Sequence, residues 1–340
     1  MRRLFVFLVF VLGYSAVSVA QEAQALHLVK TVSVPDVQRK WDHFGVDLPG
    51  NRLFASSEDE PAIEVFELQS GKHLRTLTGF KETHNALPLP ELKKIFVVDG
   101  GGSEIAVLDY TSYKVTGHIP LTIDADPIAY DPSKKLLYVV NGGRAAKTSY
   151  CLISIVDVTA EKKIADLKLE TNRLESMALE KSGNRLFVNM TAINAIGVID
   201  RDKRALAQTW PITAAKENVP MQYDETNRRL FVVTRKPSKL VVINTDTGKE
   251  VTSVSVPDFV DDLAFDPDQH RLYAIAGGGG GAVSVIGQRD ADTYQLIANV
   301  PTKPGTKTGR LVPELHRLYI GVPTKEKQEA QILIFELPSK

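Results

Sequence analysis

One short pattern constrains this chain more than anything else in it: a polar residue, one variable position, Leu or Ile, then Phe or Tyr. It occurs as Asn51-Arg-Leu-Phe54, Lys93-Lys-Ile-Phe96, Lys135-Leu-Leu-Tyr138, Asn184-Arg-Leu-Phe187, Arg228-Arg-Leu-Phe231, His270-Arg-Leu-Tyr273 and His316-Arg-Leu-Tyr319. The aromatics are spaced by 42, 42, 49, 44, 42 and 46 residues. Seven copies at that period mean a repeat architecture, either a propeller or a helical solenoid. The solenoid fails, because no copy holds a ten-residue stretch of helical periodicity, while β-branched residues in two-residue alternation fill each one.

Each copy supplies four strand-like runs. Copy five shows them best: Met221-Gln-Tyr223, then Arg229 to Thr234, Leu240 to Ile243 and Val251 to Val256, separated by turn residues such as Asn244-Thr-Asp-Thr-Gly248. Four strands per copy make one blade, so the sequence predicts an all-β, seven-bladed propeller with four-stranded blades. Copy seven ends after its third run, at Leu337, while Leu26 to Val34 forms a strand with no blade of its own. The N-terminal strand is therefore expected to complete the last blade and close the ring, pairing an edge that would otherwise be open.

Ile128-Ala-Tyr-Asp-Pro132 followed by Leu137-Tyr-Val-Val-Asn141, with Val283-Ser-Val-Ile286 and Val241-Val-Ile-Asn-Thr-Asp-Thr-Gly248, resembles the YVTN-repeat, YncE-like β-propellers of exported bacterial proteins. The likeness covers residues 26–337, and Tyr138-Val-Val-Asn141 comes nearest to the family tetrapeptide, which no copy spells in full. The resemblance implies a seven-bladed ring outside the cytoplasm, often a binding scaffold and sometimes a partner of redox enzymes. The Gly-His and Trp-Asp signatures of WD40 blades are absent.

The N-terminus points the same way. Arg2-Arg3, the apolar run Leu4 to Leu12 and the small-residue pattern Ser18-Val19-Ala20 have the order of a secretory signal peptide. We read residues 1–20 as that signal, cut after Ala20 or, at Ala23-Gln24-Ala25, after Ala25, and residues 21–340 as one propeller domain in the periplasm or secreted. The apolar run is shorter than the ~20 residues of a spanning helix, so no membrane span is expected after cleavage. Formal charge is zero over the 340 residues, without the basic excess that nucleic-acid binding usually leaves. The single cysteine, Cys151, excludes an intrachain disulfide and opens an apolar run, so it reads as a buried small hydrophobe.

Function is less legible. In such rings the loop entering the innermost strand and the loop between the second and third strands share one face, around the mouth of the central channel. Twelve residues before each aromatic stand Asp42, His84, Asp126, Glu175, Val219, Asp261 and Lys307, followed by His43, Asn85, Pro127, Ser176, Pro220, Asp262 and Thr308. Four carboxylates at one level suggest an acidic mouth for a cation or cationic group, with His43 and His84 as ligands or bases; the same residues could instead simply meet channel water. Lys303, Lys307 and Arg310 give copy seven a basic side, and Trp41, beside Asp42, is placed to stack on a ligand. The candidate ligand-binding set is thus Trp41, Asp42, His43, His84, Asn85, Asp126, Glu175, Asp261, Asp262, Lys307 and Arg310, with no catalytic residue assigned.

Other features carry less. Gly277 to Gly281 lacks the Lys-Ser/Thr and following helix of a phosphate loop and reads, like Gly100-Gly-Gly102, as a turn using positive φ. Asn244 to Gly248 and Asp290-Ala-Asp292 read as turns rather than calcium loops. The long loop Asn141 to Tyr150, with Arg144, Lys147 and Tyr150, reads as a surface insertion. Haem, zinc-protease and nucleophile-elbow motifs are missing. The expectation is a monomeric, non-enzymatic scaffold for an unidentified small molecule or protein, with no cofactor predicted and a divalent cation at the mouth left open. The alternative is an enzyme or enzyme subunit, a lactonase-like hydrolase or an accessory subunit of a periplasmic redox enzyme.

Overall fold

The structure, a computed structural model, describes residues 25–338 apart from Asp36, so the signal-peptide expectation for residues 1–20 lies outside it. Seven four-stranded antiparallel sheets follow one another around a central channel. Blade one shows the pattern, with Trp41–Asp47 innermost, then Arg52–Ser57, Ala62–Glu67 and His73–Leu77 outermost. The second strand is buried along its whole length, whereas the fourth is exposed except at its last residue. A middle strand lies between two neighbouring blades and is covered on both faces, which is why apolar residues such as Leu53, Phe54 and Ala55 follow one another in it without alternation.

The repeated aromatics lie in the second strands at the centre of this packing. Phe54, Phe96, Phe187, Phe231 and Tyr273 are fully buried, with Tyr138 and Tyr319 nearly so. Hydrophobic clusters join neighbours: Phe54 and Ile63 of blade one pack with Ile95 and Val97 of blade two. Ahead of the second strand, a tight turn places Asn51, Lys93, Lys135, Arg228, His270 and His316 in the left-handed region. Polar side chains there remain in solvent while the turn hydrogen bonds form, as in Asn51 N–H to Leu48 O at 3.1 Å.

Ring closure follows the sequence reading. His27–Val34 pairs antiparallel with Ala330–Glu336, with one irregularity between Leu28 and Lys30, and becomes the outer strand of the blade whose inner strand is Thr308–Val312. The seam between blades seven and one is a core of Tyr319, Ile332 and Ile334 against Trp41, Phe44 and Leu53. Tyr319 also donates its hydroxyl to Leu68 O across it at 2.7 Å. Blades three and four are tied by a buried ion pair, Arg201 to Asp131, with Arg201 also donating to Glu180 O at 2.7 Å.

Several local readings hold. Asn244 Oδ1 accepts from the N–H groups of Asp246 and Thr247, and Asp290 Oδ1 from those of Asp292 and Thr293, so both acidic stretches are turns. Cys151 is buried, and burial pushes its thiol up to about 11. The other tryptophan, Trp210 in an outer strand, likewise serves packing, lying tilted on Phe187 with ring centroids 5.7 Å apart. Gly279 and Gly281 have positive φ as expected. Gly100-Gly-Gly102 does not: Ser103 takes the left-handed conformation there, and the glycines serve close approach instead. Among the described residues no helix is long and apolar enough to cross a membrane.

Candidate functional site

All seven positions twelve residues before the aromatics line one cavity of about 670 Å³ at the channel mouth. Blade geometry explains this, since the repeat gives every innermost strand the same phase. A second device operates in four blades. The innermost strand carries one extra residue between Trp41 and Phe44, Thr83 and Asn85, Asn218 and Met221, and Val260 and Asp262. Such a bulge breaks the alternation of side chains and re-aims them. Consecutive residues, Asp42 with His43 and Asp261 with Asp262, therefore reach the same cavity.

The centre of the cavity wall is a cluster of imidazoles and carboxylates. His84 Nδ1 donates to Asp42 Oδ2 at 2.6 Å, and His43 Nδ1 to Asp262 Oδ1 at 3.0 Å. Asp262 is itself held by the Gly309 N–H, 2.9 Å from its Oδ2. His43 Nε2 then faces Asp42 Oδ1 at 3.9 Å and Asp126 Oδ1 at 3.7 Å, too far for hydrogen bonds. Asp126 Oδ1 is shielded and has no hydrogen-bond partner, and the same is true of Nε2 on His84. Asn85 Nδ2 donates to the Asp126 carbonyl at 3.1 Å, which fixes the backbone of that loop.

The electrostatics follow from this crowding. Burial works against the His84 imidazolium, yet Asp126 and Asp42 outweigh it and raise its pKa to about 10. Burial likewise opposes the charge on His43, and Asp262 with Asp42 raises it well above the usual imidazole value. Asp42, despite burial, is lowered by the two imidazoles. Asp126 goes the other way, because burial and the charge of Asp42 lift it to about 7. Gly100 is part of this arrangement: a Cβ there would come within 2.8 Å of the His84 ring.

The remaining charges around the mouth are largely paired among themselves. Asp261 takes both Arg235 and Lys307, and Glu175 accepts from Arg173 Nε at 2.8 Å. Burial raises the pKa of Glu175 and lowers that of Arg310, which lines the same cavity. Glu58, Glu82, Asp124, Arg173 and Arg235 also line it; Glu58 and Arg235 come from the acidic Ser57 to Glu60 and basic Arg235 to Lys239 inter-strand loops, while Glu82, Asp124 and Arg173 are not among the residues singled out from the sequence. The signal for three of them was available, since Glu82, Asp124 and Arg173 lie two residues before the predicted level, on the same face of the chain.

One predicted residue is placed differently. Trp41 does not face the central cavity; it is 1% exposed in the seam between blades one and seven, and its Nε1 donates to Val322 O at 2.6 Å. Its indole backs a separate, mainly apolar hollow of about 270 Å³ with Phe259, Gly277, Gly305 and Pro323 among its walls. The bulge begins immediately after Trp41, so the side chain keeps its packing orientation while Asp42 and His43 turn inward. Tyr150, in the long loop of blade three, receives Lys168 over its ring at 4.3 Å and stays away from the mouth.

Fold and site together define a seven-bladed β-propeller with a charged, histidine-containing channel mouth. No family model matches the chain. It is 21% identical over 203 residues to the uncharacterized protein YncE of Salmonella typhimurium, a match spanning 59% of this chain and 55% of that protein. Among solved structures it superimposes on a chain of Kuenenia stuttgartiensis hydrazine synthase with TM-score 0.73, at 15% identity, over 84% of this chain and 94% of that one. A chain of the mitotic checkpoint complex gives TM-score 0.73 at 12% identity, over 92% of each. The two structural likenesses bear on the fold alone; the likeness to YncE, with seven blades, supports a YncE-like propeller family.

Proposed function

We propose that this is an exported, monomeric propeller, periplasmic or secreted, that works as a binding scaffold and takes a ligand carrying a cationic group at the channel mouth. The observation that carries this reading is the composition of the 670 Å³ cavity: eight carboxylates line it against four Arg and Lys side chains and two imidazoles. A water-filled wall with no ligand to meet gains nothing from leaving a shielded carboxylate oxygen unpartnered, as at Asp126. Export rests on the charged, apolar and small-residue order of residues 1–20.

Calorimetric titration with a panel of small organic cations, including choline, putrescine and arginine, tests the reading. At least one is expected to bind, and to bind ten-fold or more weakly to a Glu58→Gln, Glu82→Gln, Asp124→Asn variant whose melting temperature is unchanged. These three residues lie on the cavity wall and none is hydrogen-bonded to His43 or His84, Glu82 Oε1 standing 4.0 Å from His84 Nε2. Failure of the whole panel to bind the native protein would refute the organic-cation reading. One observation favours the enzymatic alternative, the pairing of His43 with Asp262 and His84 with Asp42, which is how hydrolases orient a general base. Turnover of a lactone by the purified protein, lost in His43→Gln, would establish it.

A further inference from the structure

We propose that Asp42, His43 and Asp126 form a mononuclear site for a divalent first-row transition-metal ion. The inference rests on the mouth being a cation-binding surface and names the cation. Asp42, His43 and Asp126 each offer one donor atom, all within 4.8 Å of one another. The separations of 3.9 and 3.7 Å from His43 Nε2 are too long for direct hydrogen bonds to the carboxylates. Two ligands on one zinc-like ion at about 2.0–2.2 Å each stand roughly 3.4 Å apart. His43 Nε2 would need to close on each of the two carboxylate oxygens by only about half an ångström or less to share such an ion.

Two of the donor groups, His43 and Asp42, are held at their other ends. The Nδ1 of His43 is committed to Asp262, which is anchored by the Gly309 N–H, so Nε2 is left pointing at the gap. A carboxylate behind a ligand histidine is the usual support of a metal site, fixing the ring and its tautomer. Asp42 is held in the same way, its Oδ2 taken by His84, which leaves Oδ1 to the gap. His84 is 6% exposed and keeps Nε2 unpartnered at the cavity wall. Asp126 supplies a further pointer, because its Oδ1 is shielded from solvent and accepts no hydrogen bond, although donors such as Asn85 Nδ2 are near enough to bond its own backbone carbonyl.

The donor set selects the class of ion. One imidazole nitrogen with two carboxylate oxygens suits zinc, manganese, iron or cobalt better than calcium or magnesium, which prefer all-oxygen shells. Three protein ligands also leave coordination positions open toward the 670 Å³ cavity, the arrangement of sites that meet a ligand or substrate rather than purely structural ones.

The test is calorimetric titration of chelator-stripped full-length protein with Zn²⁺, together with electron paramagnetic resonance of the Cu²⁺-loaded protein. Binding at one ion per chain is expected, with nitrogen hyperfine structure from one imidazole. His43→Gln should remove that nitrogen signature, and Asp126→Asn should abolish Zn²⁺ binding. Asp262→Asn touches no ion and is expected to weaken it roughly 10–100-fold while the circular-dichroism melting curve stays in place. Zn²⁺ binding that is indifferent to all three substitutions would overturn the site, and so would a native protein that binds an organic cation but no Zn²⁺, in which case the mouth reading survives. A protein that binds neither would overturn both.

Discussion

Replacing Trp41 separates a packing residue from a ligand contact. The indole is 1% exposed, meets Phe44 edge-on with centroids 6.2 Å apart, and donates to Val322 O across the seam at 2.6 Å. The fit is close, since a Cβ at Gly321 would come within 2.7 Å of the ring. Trp41→Ala removes a buried aromatic, which costs about 3–5 kcal/mol. Trp41→Phe keeps most of the apolar surface but strands the Val322 carbonyl, costing about 1–3 kcal/mol. With a urea slope of about 3 kcal/mol/M for a domain of this size, the midpoints should fall by roughly 1–1.7 M and 0.3–1 M. The assay is urea unfolding followed by far-ultraviolet circular dichroism, with Zn²⁺ titration of each variant in native buffer. Trp41→Phe is expected to lower the midpoint and leave Zn²⁺ affinity within about two-fold. An unchanged midpoint with lost binding would refute the reasoning and return Trp41 to the mouth.

Two further outcomes follow from buried groups away from the mouth. Arg201→Met leaves Asp131, a carboxylate held below its usual pKa despite burial, without its cation, and should destabilise by about 3–5 kcal/mol, with much of the loss recovered by adding Asp131→Asn; additive midpoint shifts in the double-mutant cycle would deny the coupling. Cys151, with its thiol at about 11, has only about one part in 10³ thiolate at pH 8, so labelling of the native protein by a thiol reagent should be slow, rise with pH and become fast only in denaturant; rapid stoichiometric labelling at pH 8 without denaturant would contradict it.

Much of the architecture could be read directly from the chain. The spacing of Phe54 through Tyr319 fixed the number of blades, because each blade must bring its second strand to the same place between its neighbours. The unpartnered strand at His27–Val34 announced the closure, since a ring cannot leave one blade a strand short without exposing an edge. The same phase makes Asp42, His84, Asp126, Glu175, Val219, Asp261 and Lys307 line one cavity. Local hydrophobic pattern and repeat period determine these things, and both are properties of the sequence.

The tertiary structure decided what the sequence period cannot encode. A two-residue alternation would send Asp42 and His43 to opposite faces, and only the bulge after Trp41 brings both to the cavity and leaves Trp41 in the seam. Pairing was equally hidden. His43 meets Asp262 across a separation of 219 residues, and Asp261 is shared by Arg235 and Lys307 from neighbouring blades. Gly100 looked like a turn glycine and proves to make room for the His84 ring. Which charges neutralise one another, and that Asp126 Oδ1 is left without a hydrogen bond, are set by distances across the channel. Those distances depend on how seven blades pack around it, which no single repeat contains.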